Sequence, residues 1–134
     1  MKQRKLRKVL AVQDCGAFPV TVIVVHGHTK RELDAFAKKV LVKKSYDWVR
    51  DFVDFDDVES GKMCAQTHYN AGMVVLHLGM SVDDAWDTWQ TLIHEVVHVV
   101  QQIRIVTAME MEREAEAYTS EYLFKNIRRK LMGI

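Results

Sequence analysis

From Val82 to Ile103 apolar residues recur at three- and four-residue intervals: Val82, Ala85, Trp86, Trp89, Ile93, Val96, Val97, Val100 and Ile103. That is the period of a helix with one broad buried face. Ser81 with Asp84 three residues on predicts a capping box at its start. A helix of this length needs an apolar surface to cover, and the sequence offers strands. Val20-Thr21-Val22-Ile23-Val24-Val25 is a β-branched run with the composition of a well-buried strand, broken by Gly27. Lys62–Tyr69 and Met73–Leu78 read as a hairpin around Asn70-Ala71-Gly72. Its nearly continuous apolar second arm is expected inside the sheet, with the first arm nearer an edge. Lys8–Val12 reads as a short strand and Cys15-Gly16-Ala17 as a turn.

Two further helices complete the pattern. Thr29 with Glu32 is a capping box, followed at helical spacing by Leu33, Phe36, Ala37, Val40 and Leu41, so a helix is expected over roughly Lys30 to Val42. Thr107 with Glu110 predicts another start, opening a helix to about Met132 with Met111, Ala115, Tyr118 and Tyr122 as its core stripe. Between Ser45 and Gly61 acidic residues alternate with aromatic and aliphatic anchors, which suits a short helix or a packed loop. The acids there lack the order of a calcium-binding loop and read as a solvated face. The expected fold is α+β. A small mixed or antiparallel sheet of three or four strands is packed on the central helix, and a C-terminal helix runs antiparallel to that helix.

At 134 residues, 49% of them hydrophobic, the chain fits one domain spanning 1–134 with a real core. Net charge is +1, so no global field argues for nucleic acid or an acidic membrane. The charge is nevertheless uneven: Lys2, Arg4, Lys5, Arg7 and Lys8 crowd one end, and Lys125, Arg128, Arg129 and Lys130 the other. Basic ends can touch phosphates, although solvated termini are the commoner use of such runs. Cys15 and Cys64 lie far apart with no C-x-x-C and read as reduced thiols of a cytoplasmic protein. Gln13, Asp14 and Pro19 interrupt what would otherwise mimic a secretion signal, and no run approaches a membrane span, so no membrane role is expected.

On the central helix stands His94-Glu95-Val96-Val97-His98. Two histidines four apart share a helix face and can grip one zinc ion, and the glutamate between them can serve as general base and acid for a water activated by the metal. That chemistry hydrolyses peptide bonds. The competing reading makes the pair core-edge histidines bonded to backbone or carboxylates. A third ligand decides between them. Glu112, Glu114 and Glu116 fall in the first turns of the last helix. If the central helix ends near Arg104 and the last starts near Ala108, an antiparallel return of roughly 9 Å brings Glu114 to the level of His98. Glu112 is the alternative, half a turn away, while Glu116 is expected to point to solvent. His68, Tyr69 and Tyr122 are candidate oxyanion or substrate contacts. His26 and His28, in a strand-to-helix loop without a third ligand, read as structural or surface residues.

His94-Glu-Val-Val-His98, fifteen intervening residues, then Glu114-Ala-Glu-Ala-Tyr118 resembles the gluzincin metallopeptidases, particularly the small single-domain, ImmA/IrrE-like and phage-encoded forms. The resemblance covers about Lys62 to Leu123. It implies a zincin-like domain holding zinc through His94, His98 and Glu114, with Glu95 as catalytic base and a protein or peptide substrate. Larger gluzincins often carry an acid four residues beyond the ligand, where this chain has Tyr118. No histidine follows His98, so a third histidine ligand downstream is excluded. A second reading keeps the fold but has the protein act by binding or inhibiting a protein or nucleic-acid partner. Glu95 argues for chemistry, since holding a metal does not require it.

Overall fold

The computed structural model describes residues 6–16, 18–40, 65–70, 73–79, 86–107 and 113–134. Their order is β1 (Val9–Cys15), β2 (Phe18–His26), α1 (Lys30–Val40), β3 (Ala65–Asn70), β4 (Met73–Leu78), α2 (Trp86–Thr107) and α3 (Arg113–Met132), an α+β arrangement.

The four strands form one mixed sheet in the order β1-β2-β4-β3. β1 and β2 pair antiparallel, turning at Gly16, whose φ of 68° lies in the left-handed region open to glycine. The Gly16 amide donates to Asp14 Oδ1 at 2.9 Å and holds the turn. β3 and β4 form the expected hairpin, with Asn70 opposite Met73, and β3 is an edge. The two hairpins join where β2 runs parallel to β4, from Thr21↔Met73 to His26↔Leu78. All six β4 residues are buried, because alternation sends Val74, Leu76 and Leu78 to one face and Met73 and Val75 to the other, and both faces are covered.

α1 covers one face with Leu33 and Ala37, packed against Ile23, Val25, Met73 and Val75. Its capping box forms as expected: Glu32 N donates to Thr29 Oγ1 at 3.2 Å, and Thr29 N donates to Glu32 Oε1 at 3.0 Å. His26 is buried, with Nδ1 2.9 Å from the Arg7 carbonyl oxygen, and His28 Nδ1 lies 2.9 Å from Glu32 Oε2. His26 is thus packed in the fold, and His28 is a surface partner of the α1 cap.

α2 and α3 cover the opposite face, where Val22, Val24, Val74 and Leu76 meet Leu92, Val96, Val99 and Ile103 of α2 and Leu123, Ile127 and Leu131 of α3. Arg104 pairs with Glu116 at 3.0 Å, whereas Trp89 packs edge-on against Phe124 and under the Arg128 guanidinium. The two helices are therefore antiparallel.

Three expectations about helix faces are corrected. Ile93 and Val97 are 49% and 44% exposed instead of buried. Apolar residues run most of the way round α2, so periodicity alone cannot aim it; the sheet takes the Leu92, Val96, Val99 and Ile103 side, rotated by about 100° per residue from Ile93. Tyr118 and Tyr122 are also exposed, and the α3 core ridge is Thr119, Leu123, Ile127 and Leu131. Three aliphatic side chains at four-residue spacing gain more from burial than two tyrosines that must keep their hydroxyls hydrogen-bonded, and the Thr119 hydroxyl is satisfied by the Ala115 carbonyl at 2.8 Å. Glu116 is not turned to solvent; it faces α2 as the partner of Arg104. The capping boxes Ser81/Asp84 and Thr107/Glu110 and the stretch 45–61 fall wholly or partly outside the described residues, as does the Trp86 side chain. Among the described residues no helix is long and apolar enough to cross a membrane.

Candidate metal centre

His94 and His98 stand four positions apart on α2, so both rings leave the same side of the helix. Their Nε2 atoms are 3.1 Å apart and their ring planes meet at 77°. Two nitrogens bound to one tetrahedral zinc at 2.0–2.1 Å are separated by about 3.3 Å, which this pair nearly matches. His98 Nδ1 lies 3.0 Å from Gln101 Oε1. With the amide oxygen as acceptor, Nδ1 would carry the proton and leave the Nε2 lone pair of His98 to face His94, the tautomer a metal-binding histidine needs.

Glu95 turns the other way and is buried against the sheet, where Oε2 accepts from the Thr67 hydroxyl of β3. The carboxylate thus spans the seam between α2 and the sheet edge. A cavity of about 340 Å³ opens beside it, lined by Ala65 of β3 and by Gln90, Thr91, His94 and Glu95 of α2. The strand edge, the carboxylate and one of the two histidines therefore share one recess.

Glu114 does not join them. It is exposed, and among the described residues no three His, Cys, Asp or Glu side chains converge as a metal site would require. Val97 and Ser120 line one cleft, so the turn of α3 level with His98 lies near Ser120, roughly 9 Å beyond Glu114 at 1.5 Å per residue. α2 continues to Thr107 instead of ending near Arg104, which changes the count on which the level of Glu114 is based. Glu112 lies outside the described residues. Among the described residues the donor set fits two protein positions of a zinc ion.

Comparison with protein families, curated proteins and solved structures finds no match. The site stands on its own residues. His68 and Tyr69 sit on β3 opposite Val75 and Val74, and their side chains lie outside those described. Tyr122 is drawn to the far side of α3, where its hydroxyl donates to Asp14 Oδ1 at 2.7 Å; this bond holds the Asp14 carboxyl below its ordinary range and raises the Tyr122 phenol. It is not a contact of the histidine pair. Sequence reasoning assigned no role to Thr67 or to Gln101. The latter was recoverable, since position i+3 from His98 shares its face; Thr67 needed the register of a strand against a helix.

Proposed function

We propose that this chain is a zinc-dependent peptidase of zincin-like architecture, with His94 and His98 as two metal ligands and Glu95 as the base. The observation that carries the reading is the Nε2 to Nε2 distance of 3.1 Å, with His98 oriented by Gln101 and Glu95 held in the adjoining recess. Zinc bound there would supply the Lewis acidity that makes water nucleophilic near neutral pH. The third position falls to a glutamate at the entry to α3, Glu112 or Glu114. Glu95 takes a proton and returns it to the leaving amine. Among the described residues β3 has no strand on its outer side, and such an edge suits an extended peptide, which would add to the sheet by backbone hydrogen bonds and pass beside Glu95 and His94.

The test compares wild type with Glu95→Gln at matched zinc occupancy. The variant keeps shape and removes the base, so it should fold, bind about one zinc per chain and lose all detectable cleavage. Native protein that takes up no transition metal would sink the reading. Equal biological effects of wild type and Glu95→Gln, with zinc bound in both, would leave a protein that acts by binding its partner.

A further inference from the structure

The sequence places its two basic runs at opposite ends of the chain, and the fold brings Arg7 and Lys8 of the first to the same pole as the end of α3. The Arg7 amide donates to the Leu131 carbonyl at 2.6 Å. α3 closes with the Gly133 amide on Lys130 O and the Ile134 amide on Arg129 O, and Gly133 is left-handed at φ 71°. The Arg7 side chain lies directly over that glycine, where a Cβ would come within 2.2 Å of its Nε. Lys8, Lys125 and Arg129 are exposed at the same pole.

The outer face of α3 carries more than charge. Tyr118, Tyr122, Lys125 and Arg129 fall at i, i+4, i+7 and i+11, one stripe along the helix. Tyr118 is 67% exposed and Tyr122 38%. Tyr122 is held by Asp14, so its ring is fixed in place. Arg128 and Lys130 are already engaged, over Trp89 and with Gln13 Oε1. Lys125, Arg129, Arg7 and Lys8 carry no ion pair with the described residues. Asp14, Glu114 and Glu121 border the stripe, but Lys125, Arg129, Arg7 and Lys8 outnumber them and lie toward the helix C-terminus. An interfacial membrane helix would present leucine, phenylalanine or tryptophan on this face; the stripe has none, only two rings followed by two cations. Rings on which bases stack, in line with cations that meet phosphates, are the elements of a single-strand binding surface.

We propose that the outer face of α3, extended by Arg7 and Lys8, binds single-stranded nucleic acid, with bases stacking on Tyr118 and Tyr122 and the backbone following Lys125 and Arg129 toward Arg7. The surface is separate from the histidine pair and does not depend on zinc. Its span, about 17 Å along the four helix positions at 1.5 Å per residue, accommodates a few nucleotides. Recognition is therefore independent of sequence.

The test is fluorescence anisotropy of a labelled twelve-residue oligothymidylate against the full chain. Saturable binding at 50 mM salt is expected, weakening about 50-fold at 200 mM if four phosphates are met. Lys125→Glu with Arg129→Glu should weaken it at least tenfold. Tyr118→Ala should weaken it about fivefold without changing the salt slope, and His94→Ala should leave it unchanged. These positions are exposed, so circular dichroism should report folded variants. No binding at 50 mM salt overturns the proposal. So does a duplex of equal length bound as tightly, a silent Tyr118→Ala, or tighter binding to phosphatidylserine vesicles than to the oligonucleotide.

Discussion

The Thr67 hydroxyl, on the edge strand, donates to Oε2 of Glu95, on α2, tying the helix to the sheet beside the histidine pair. A buried carboxylate depends on such a donor. Thr67→Val keeps the shape and removes it, which should cost about 1–3 kcal/mol in a denaturant titration. Thr67→Ser, which keeps the hydroxyl, should restore the stability. Unchanged stability in Thr67→Val would remove Thr67 from this role.

The facing of α2 is tested by two neighbouring truncations. Leu92 is fully buried and Ile93 half-exposed. Leu92→Ala should cost about 2–5 kcal/mol, Ile93→Ala less than about 1 kcal/mol. The reverse order would mean that α2 meets the sheet through the Ile93 and Val97 side.

Zinc titration separates the candidates for the third ligand. One of Glu112→Gln and Glu114→Gln should weaken binding at least tenfold, while Glu116→Gln, which breaks the pair with Arg104, should leave the affinity near wild type. If both of the first two bind as wild type does, the metal is held by the histidines alone and the peptidase reading loses its site.

Acid should weaken the start of α1. Backbone and side-chain hydrogen bonds from Thr29, with His28, lower the Glu32 pKa from 4.5 to about 2. A carboxyl depressed in the folded state contributes stability that is fully present above its unfolded pKa and is lost as pH falls from about 4.5 through about 2. Glu32→Gln should therefore be less stable than wild type at pH 7, with the gap closing between pH 4.5 and pH 2. A gap independent of pH would assign the effect to shape instead of charge. Thr29→Ala, which removes the other half of the cap, should cost about 1 kcal/mol.

Local features were legible in the sequence. The Thr29/Glu32 box, the β3–β4 hairpin and the breaks at Gly16 and Gly27 each depend on a few adjacent residues, and each stands where the sequence places it. The His94/His98 pair was legible for the same reason, being a matter of helix period. What failed needed a partner surface. Ile93 and Leu92 are equally apolar, and only the sheet decides between them. Tyr118 competed with Leu123 for the core of α3. The third ligand was read by counting residues between two helices, and each residue of error moves a helical side chain by about 1.5 Å along the axis and 100° around it, so Glu112 and Glu114 stay alternatives. The parallel pairing of β2 with β4 and the meeting of Arg7 with Leu131 join residues far apart in the chain, and no local pattern announces either.

The β2–β4 pairing also bears on how the chain folds. Each hairpin can form from neighbouring residues, but His26 and Met73 are separated by more than forty positions, so uniting the sheet closes a long loop before the core rewards it. High contact order of this kind slows folding without weakening the folded state. Until that seam closes, two half-sheets expose unpaired strands to each other and to other chains, and yield on refolding should fall with protein concentration long before equilibrium stability is affected.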